Sequence, residues 1–443
     1  MRIGRFYFIT VLVGMVIGVY LVGVAPTVSE AAAKITFWHS LSGENLPAVE
    51  KIVKGFNTAH PDIEVQAQFM GSSLEVLAKV IAAVRAKKPP HIYAGSSIVP
   101  QIMIDSGAIV PIHELFKPGE VDFGDILWPV RANHSVKGKL YAMPFAVSTA
   151  ILYYNKDLFK KAGLDPKKPP TTYEEIEEIG KKLINSGVVP SAFSTGFPDW
   201  SFETAHSYQN QFYTNNENGR KARATKVLFN GEFGAKYVET LARMAKEKVY
   251  VYGGKDYSAN KAFLAQQIAM LVQSTSSVGS IENAAKGKFE VGTTFLPVLK
   301  GYPRGNSIVG GSASTIWAMK GHSKKDYEAI KVFLKWLFLP EINMQWHKDT
   351  GYYPVTNSAS QKLLNEGWFS EHPNHLTAFL QILSGVEAPA TIGIYMGPFY
   401  EVRKTVVNAL EKALAGTASP KAALDEAVKE SDRILQEYAA MYK

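Results

Sequence analysis

Apolar and polar positions along the chain repeat first with the period of a strand and then with that of a helix. Residues 34–40 (KITFWHS) and 62–69 (DIEVQAQF) alternate apolar and polar positions as strands do, which predicts two strands. Between them, residues 44–60 set Val49, Ile52, Val53 and Phe56 at helical spacing, and Pro61 stops the run. Residues 74–87 then place Leu74, Leu77, Ala78, Ile81 and Val84 on one helical face; residues 91–94 form a short buried-strand candidate, and a further helix is predicted over 98–105. This βαβαβ rhythm predicts an α/β lobe with a largely parallel sheet.

A second α/β region is predicted from about residue 142, opening on AMPFAVSTAILYYN (142–155). Thr172 and Glu175 form a capping box for a helix over 173–186, whose apolar stripe is Ile176, Ile179 and Leu183. Residues 262–273 join a helical segment to the apolar run 268–272, which meets Ser274-Thr275-Ser276-Ser277. Amphipathic helices follow over 327–338, 401–415 and 420–442, the last two separated by Gly416, with Ser419-Pro420 opening the final one. No internal repeat or low-complexity linker interrupts the pattern. It describes two α/β lobes joined by extended crossings, a hinged bilobal protein.

The beginning of the chain bears on compartment. Arg2 and Arg5 precede an uncharged apolar run over 6–25, Pro26 breaks it, and Ser29-Glu30-Ala31-Ala32-Ala33 supplies small residues of the kind signal peptidase cleaves. Residues 1–33 are therefore expected to be a removable export signal, the rival reading being a retained anchor, since the run is long enough to span a bilayer.

Composition narrows the chemistry. With 443 residues, 46% hydrophobic and 12% aromatic, the chain has material for two cores and is too apolar to be disordered. It has no cysteine, which excludes disulfides, Cys-ligated zinc, iron–sulfur clusters, thiol nucleophiles and lipidation of an N-terminal cysteine. Export without cysteine predicts a free, soluble periplasmic protein. The net charge of +8 becomes +7 when Arg2, Arg5 and Glu30 leave with the signal. The basic residues are interleaved with acidic ones (KDLFKKAGLDPKK, KKDYEAIK), so they read as solvated faces, and nucleic-acid binding is set aside.

Enzyme signatures are missing. There is no G-x-S-x-G elbow, no G-x-G-x-x-G and no H-E-x-x-H, and GKFEVGTT (287–294) lacks the lysine of a P-loop. The close pair His372 and His375 flanks Pro373 and is read as a polar surface loop. No metal, cofactor or catalytic residue is expected. What stands out is a set of loops rich in aromatic, hydroxyl and Gly residues: FWHS (37–40), Gly71-Ser72-Ser73, Gly95-Ser96-Ser97, Ser148-Thr149, FPDWSFETAH (197–206), residues 274–277, Gly310-Gly311-Ser312, GYYP (351–354) and MGPFYEVR (396–403). Several follow predicted strands, where α/β sheets form their ligand crevices. Singly, each reads as a turn or as core; together they read as a polar ligand cleft, in which an Arg near a helix start can bind an anion.

The segments ITFWHSLSGE (35–44), GKLYAMPFAVSTAILYYNKDLFKKAGLDPKKPPTTYEEI (138–176), VGGSAS (309–314), EINMQWHKDTGYYPVT (341–356) and MGPFYEVR (396–403) resemble the extracellular solute-binding proteins of bacterial ABC importers, in the branch that binds sn-glycerol 3-phosphate. The resemblance implies a two-lobed periplasmic binding protein fold (type II, Venus flytrap) with an interdomain cleft. It also implies interleaved lobes, one from 34–147 plus 297–345 and the other from 150–294 plus 350–443. The family's phosphate site carries over to Ser148, Ser274, Gly311, Tyr352 and Arg403, and a Trp of that cleft to Trp200. At the polyol end the sequence departs: Ser73 (beside Leu74) and Ser97 stand where the family has an aromatic and an acid.

The anion end is thus expected to be kept and the polyol end rebuilt, with Asp199, Glu203 and His206 as candidate hydroxyl partners; the plainer reading has Asp199 and Glu203 facing solvent and His206 capping a helix or facing solvent. The implied ligand is glycerol 3-phosphate, a glycerophosphodiester or a sugar phosphate, the partners are inner-membrane permease subunits, and a monomer is expected. A neutral-sugar binding protein is the alternative, and a secreted hydrolase or lyase the third reading.

Overall fold

The computed structural model describes residues 32–442 apart from Glu44 and Lys255. The expected signal therefore lies outside the described residues except for its last two positions, and Ala33 already belongs to the first strand. The strands, in chain order, are β1 (Ala33–His39), β2 (Ile63–Phe69), β3 (Ile92–Gly95), β4 (Ile109–Val110), β5 (Ser135–Val136), β6 (Lys139–Leu140), β7 (Met143–Ser148), β8 (Ala150–Asn155), β9 (Phe193–Thr195), β10 (Met270–Ser274), β11 (Val291–Thr294) and β12 (Gly310–Met319). They form two main sheets and the small β5–β6 hairpin.

The first sheet runs β2-β1-β3-β12-β4, with β7 also pairing β12. β1, β2 and β3 are parallel, as their βαβ rhythm predicts. β12 enters antiparallel to β3, β4 and β7, so the sheet is mixed rather than largely parallel. The second sheet runs β11-β8-β10-β9, with β8 antiparallel to both β10 and β11 and β9 parallel to β10. The helix Tyr173–Asn185 starts at the expected capping box: the Glu175 N–H donates to Thr172 Oγ1 at 3.1 Å and the Thr172 N–H donates to Glu175 Oε2 at 3.2 Å.

The apolar run 142–155 is not the start of the second lobe. β7 pairs in the first sheet and β8 in the second, with Thr149 alone between them. The Thr275 N–H donates to the Thr149 carbonyl at 2.9 Å, which fixes the chain where it passes from lobe to lobe. Both strands are buried along their whole length, so their sequence gives no sign that two cores share them.

The contacts also move the expected lobe boundaries. Residues 297–306 lie on the second lobe: Val298 bridges Thr172, the Leu299 N–H donates to Gln209 Oε1 at 2.7 Å, and the Gly305 N–H donates to the Tyr208 carbonyl at 2.6 Å. Residues beyond 350 remain with the first: the Tyr353 N–H donates to the Val147 carbonyl, the Leu127 N–H to that of Val355, and Thr356 bridges Ile126. The chain thus crosses nearer 309 and again nearer 372, where Pro373–Leu383 begins and packs on β8 and β11. Extended segments without periodicity carry no mark of the lobe they pack on.

The lobes meet beside the C-terminal helix Pro420–Ala440. Arg223 donates to Asp105 from Nε at 3.1 Å and from Nη2 at 2.7 Å, and the Tyr438 hydroxyl donates to the same carboxylate at 2.9 Å. Asp105 ends the first-lobe helix Pro100–Asp105, so one buried carboxylate gathers two groups from the opposite lobe. No helix among the described residues is long and apolar enough to cross a membrane.

Candidate functional site

A cavity of about 540 Å³ opens at the lobe crossings, and all nine expected site residues line it: Ser73, Ser97, Ser148, Asp199, Trp200, Ser274, Gly311, Tyr352 and Arg403. Strand ends supply much of the floor. Ser148 ends β7 and Ser274 ends β10, where its Oγ accepts the Ser276 N–H at 3.2 Å and shapes the turn. Gly311, the second residue of β12, has φ +131°, and a Cβ there would lie 2.2 Å from the Ala146 carbonyl oxygen. Only glycine lets the two backbones approach this closely.

Tyr352 stacks on Trp346, with ring centroids 5.8 Å apart and planes 8° from parallel. Burial pushes its phenol up to about 12, with the Ser312 and Ser276 hydroxyls opposing, so it is a neutral hydroxyl at every physiological pH. At the opposite end Tyr400 reaches the Ser73 and Ser96 hydroxyls, and Ser40 and Ser73 Oγ both meet the Ser312 carbonyl, at 2.9 and 3.3 Å. Trp200 lines the cavity with its ring, while its indole Nε1–H is buried without a partner against Gly310. A buried donor left unpaired costs about 1–3 kcal/mol. Phe197, at φ +50° and ψ +74°, sits just before the helix Pro198–Tyr208 and meets Tyr257 edge-on at 5.1 Å across the mouth.

Arg403 lies in the first turns of the helix Phe399–Leu414. Its Nε and Nη2 donate to Glu203 at 2.8 and 2.7 Å, and Asp199 Oδ2 stands 3.4 Å from Nε. The expected solvent-facing Glu203 is in fact 1% exposed and forms the inner wall behind the guanidinium. Burial drives its carboxyl up to about 7 although Arg403 opposes this. His206 is likewise neither a cap nor solvent-facing: it is buried among Phe202, Tyr213 and Phe233, and its Nδ1 donates to the Phe202 carbonyl at 2.8 Å. Neither residue lines the cavity, which removes both as direct hydroxyl partners, whereas Asp199 does line it.

Sequence reasoning did not single out Tyr257, Lys404, Val407 or Asn408, which also line the cavity. Three of these were legible: Tyr400, Arg403, Lys404, Val407 and Asn408 fall at i, i+3, i+4, i+7 and i+8 of one helix, so choosing Arg403 selects its neighbours. Tyr257 carries no such mark. The pair His372 and His375 is no surface loop either. Pro373 is the first residue of a helix, where its missing N–H costs nothing, and His375 is buried.

A cavity at the strand ends between two α/β lobes, walled by hydroxyls and aromatic rings, defines a solute-binding protein of the two-lobed class. Residues 51–377 match the bacterial extracellular solute-binding protein family, and the chain belongs to that family. It is 33% identical over 416 residues to the sn-glycerol-3-phosphate-binding periplasmic protein UgpB of Yersinia pseudotuberculosis, covering 92% of this chain and 93% of that one. It is 31% identical to the Salmonella typhimurium protein of the same name, covering 92% and 94%. Among solved structures, UgpB of Mycobacterium tuberculosis in complex with glycerophosphocholine superposes with a TM-score of 0.77 at 20% identity, covering 93% of this chain and all of that one. The cyclic alpha-maltosyl-1,6-maltose binding protein of Arthrobacter globiformis gives 0.76 at 22%, covering 92% and 100%.

Proposed function

We propose that this protein is the periplasmic binding component of an ABC importer and takes up a phosphorylated polyol of the glycerol 3-phosphate or glycerophosphodiester class. The observation that carries the reading is the convergence of Ser148, Ser274, Gly311, Tyr352 and Arg403 on one cavity. The bidentate Glu203 fixes the guanidinium plane and leaves Nη1 without a protein bond, a donor pre-aimed at a phosphoryl oxygen. The hydroxyls complete such a shell without adding charge. The likeness to periplasmic sn-glycerol-3-phosphate-binding proteins over nearly the whole chain supports the same ligand class. Ser73 and Ser97 leave the far end open, which suits a substituent beyond glycerol.

In this reading residues 1–33 direct export, the released protein is monomeric and free of lipid, the two lobes are those redrawn above, and permease subunits in the inner membrane receive the ligand. The chain then binds its ligand without transforming it. A second reading rests on one observation: Glu203 and Asp199 offset the charge of Arg403, and a charge-balanced, aromatic-lined cavity also suits a neutral sugar. Titration calorimetry with glycerol 3-phosphate, glycerophosphocholine, glycerol and maltose separates the two. The proposal expects binding of a phosphoester and its loss in Arg403→Ala; a preference for the neutral compounds, or undiminished phosphoester binding in that variant, overturns it.

A further inference from the structure

Among the described residues, two clusters of metal-ligating side chains lie outside the cleft, and their hydrogen bonding separates them. In the first, His91 and His322 stack at 4.0 Å beside Asp326. His91 Nδ1 accepts the Thr36 N–H at 3.1 Å, so the proton of the neutral ring sits on Nε2, the nitrogen 3.9 Å from Asp326. Asp326 is itself committed to capping its helix, accepting the Ser323 N–H at 3.0 Å. The His322 Nε2–H donates to the Pro90 carbonyl at 3.0 Å, so one nitrogen of each ring and the carboxylate already bond to protein.

The second cluster is Glu282, in the helix Val278–Ala285, with His372 and His375 around the start of Pro373–Leu383. One ligand atom from each lies within 4.8 Å of the others. His375 Nε2 stands 3.6 Å from Glu282 Oε2. That is too long for a hydrogen bond and near the roughly 3.3 Å edge between two ligands of a tetrahedral ion bound at about 2.0–2.1 Å. The other carboxylate oxygen is already oriented: Asn374 Nδ2 donates to Glu282 Oε1 at 2.6 Å. Asn374 is in turn held on β11, donating to the Val291 carbonyl at 3.2 Å and accepting from Thr293 Oγ1 at 3.1 Å. Such outer bonds are what position a ligating carboxylate. The His372 ring is held in place by stacking on Trp368 at 3.7 Å.

A neighbouring imidazole packs against the cluster. His347 Nδ1 faces the Tyr352 carbonyl at 2.8 Å and must donate, so its Nε2 is a bare acceptor, buried and unpartnered. The His347 and His375 rings meet edge to face at 5.2 Å, and His375 Nδ1 is the other buried ring nitrogen without a partner. His375 therefore turns its Nε2 side to Glu282, the side on which an ion would be shared with the carboxylate.

We propose that Glu282, His372 and His375 form a binding site for a divalent transition-metal ion of the zinc class. Two imidazoles and one carboxylate are a ligand set that suits such an ion, with a fourth position left to water. The ion would tie a second-lobe helix to the segment returning from the first lobe, one imidazole away from the cavity residue Tyr352.

The test is titration of the tag-free protein with zinc(II) against a chromogenic chelator, together with the visible spectrum of its cobalt(II) form. One ion per chain and an intense tetrahedral cobalt band are expected. His372→Ala, at a partly exposed position, and Glu282→Gln each weaken binding at least tenfold, while His322→Ala, in the other cluster, changes nothing. Zinc binding no tighter in the natural protein than in His372→Ala overturns the proposal, and so does loss of the ion in His322→Ala. Circular dichroism of His372→Ala and Glu282→Gln distinguishes a lost ligand from a lost fold.

Discussion

Arg403 gives its Nε and Nη2 to Glu203, at 2.8 and 2.7 Å, so the one guanidinium in the cavity arrives with a buried counter-ion already attached. The pair couples ligand binding to pH. Burial holds the Glu203 carboxyl at about 7 in the folded protein, above its ordinary 4.5. Between these values the folded chain keeps a proton that the unfolded chain releases, so this group's contribution to stability is greatest at low pH and is lost as pH rises through about 7.

The same proton frees Arg403 from its counter-charge. Affinity for a phosphodiester, whose own charge is constant here, is therefore expected to rise several-fold as pH falls from about 8 to about 6. Glu203→Gln should flatten the profile. Calorimetry across that range checks it, and an affinity that falls on acidification contradicts the coupling.

Trp200→Phe keeps the ring in the wall and deletes an indole N–H that has no protein partner. Thermal stability should hold or rise slightly, because a buried unsatisfied donor is removed. Ligand affinity should change less than about threefold, because the ring wall is kept and the deleted N–H does not face the cavity. A tenfold or greater loss of affinity would show that Trp200 turns its N–H to the ligand on binding.

Gly311→Ala brings a Cβ to 2.2 Å from the Ala146 carbonyl at a φ of +131°. The neighbour is backbone and cannot swing aside. Destabilisation of about 1–3 kcal/mol or more is expected from the strained φ alone, with loss of binding as β12 shifts against β7. A melting curve matching the parent protein would show that β12 relaxes freely.

Asp105→Asn keeps the shape of the interlobe contact while removing the charge that holds Arg223 and Tyr438. The closed arrangement should loosen and ligand dissociation quicken about tenfold, since closure rests only on contacts present in the closed state. Stopped-flow release of ligand and the radius of gyration from solution scattering read this. Equal release rates and equal radii would show that the contact does not govern closure.

Local elements were legible because their causes are local. The capping box at Thr172 and Glu175, the alternation in 34–40 and the apolar stripe of Tyr173–Asn185 depend on neighbours two to four positions away. The hydroxyl and aromatic loops were equally visible, since strand ends in α/β sheets announce themselves by Ser and Gly after an apolar run. The division of 142–155 between two sheets was not, because both halves are equally buried and equally apolar.

The sequence by itself determined most local elements and the two-lobed α/β class, and its resemblance to a family supplied most of the residues that meet at the cavity. Only the tertiary structure decided what surrounds them. Glu203 stands 200 positions from Arg403 and reads in its own helix as an ordinary acidic residue, yet packing buries it and makes it the partner that orients the guanidinium. His372 and His375 read as a broken surface pair until the chain path brings Glu282 beside them. Periodicity reports which way a side chain faces, whereas the charge it meets there depends on how distant segments are stacked.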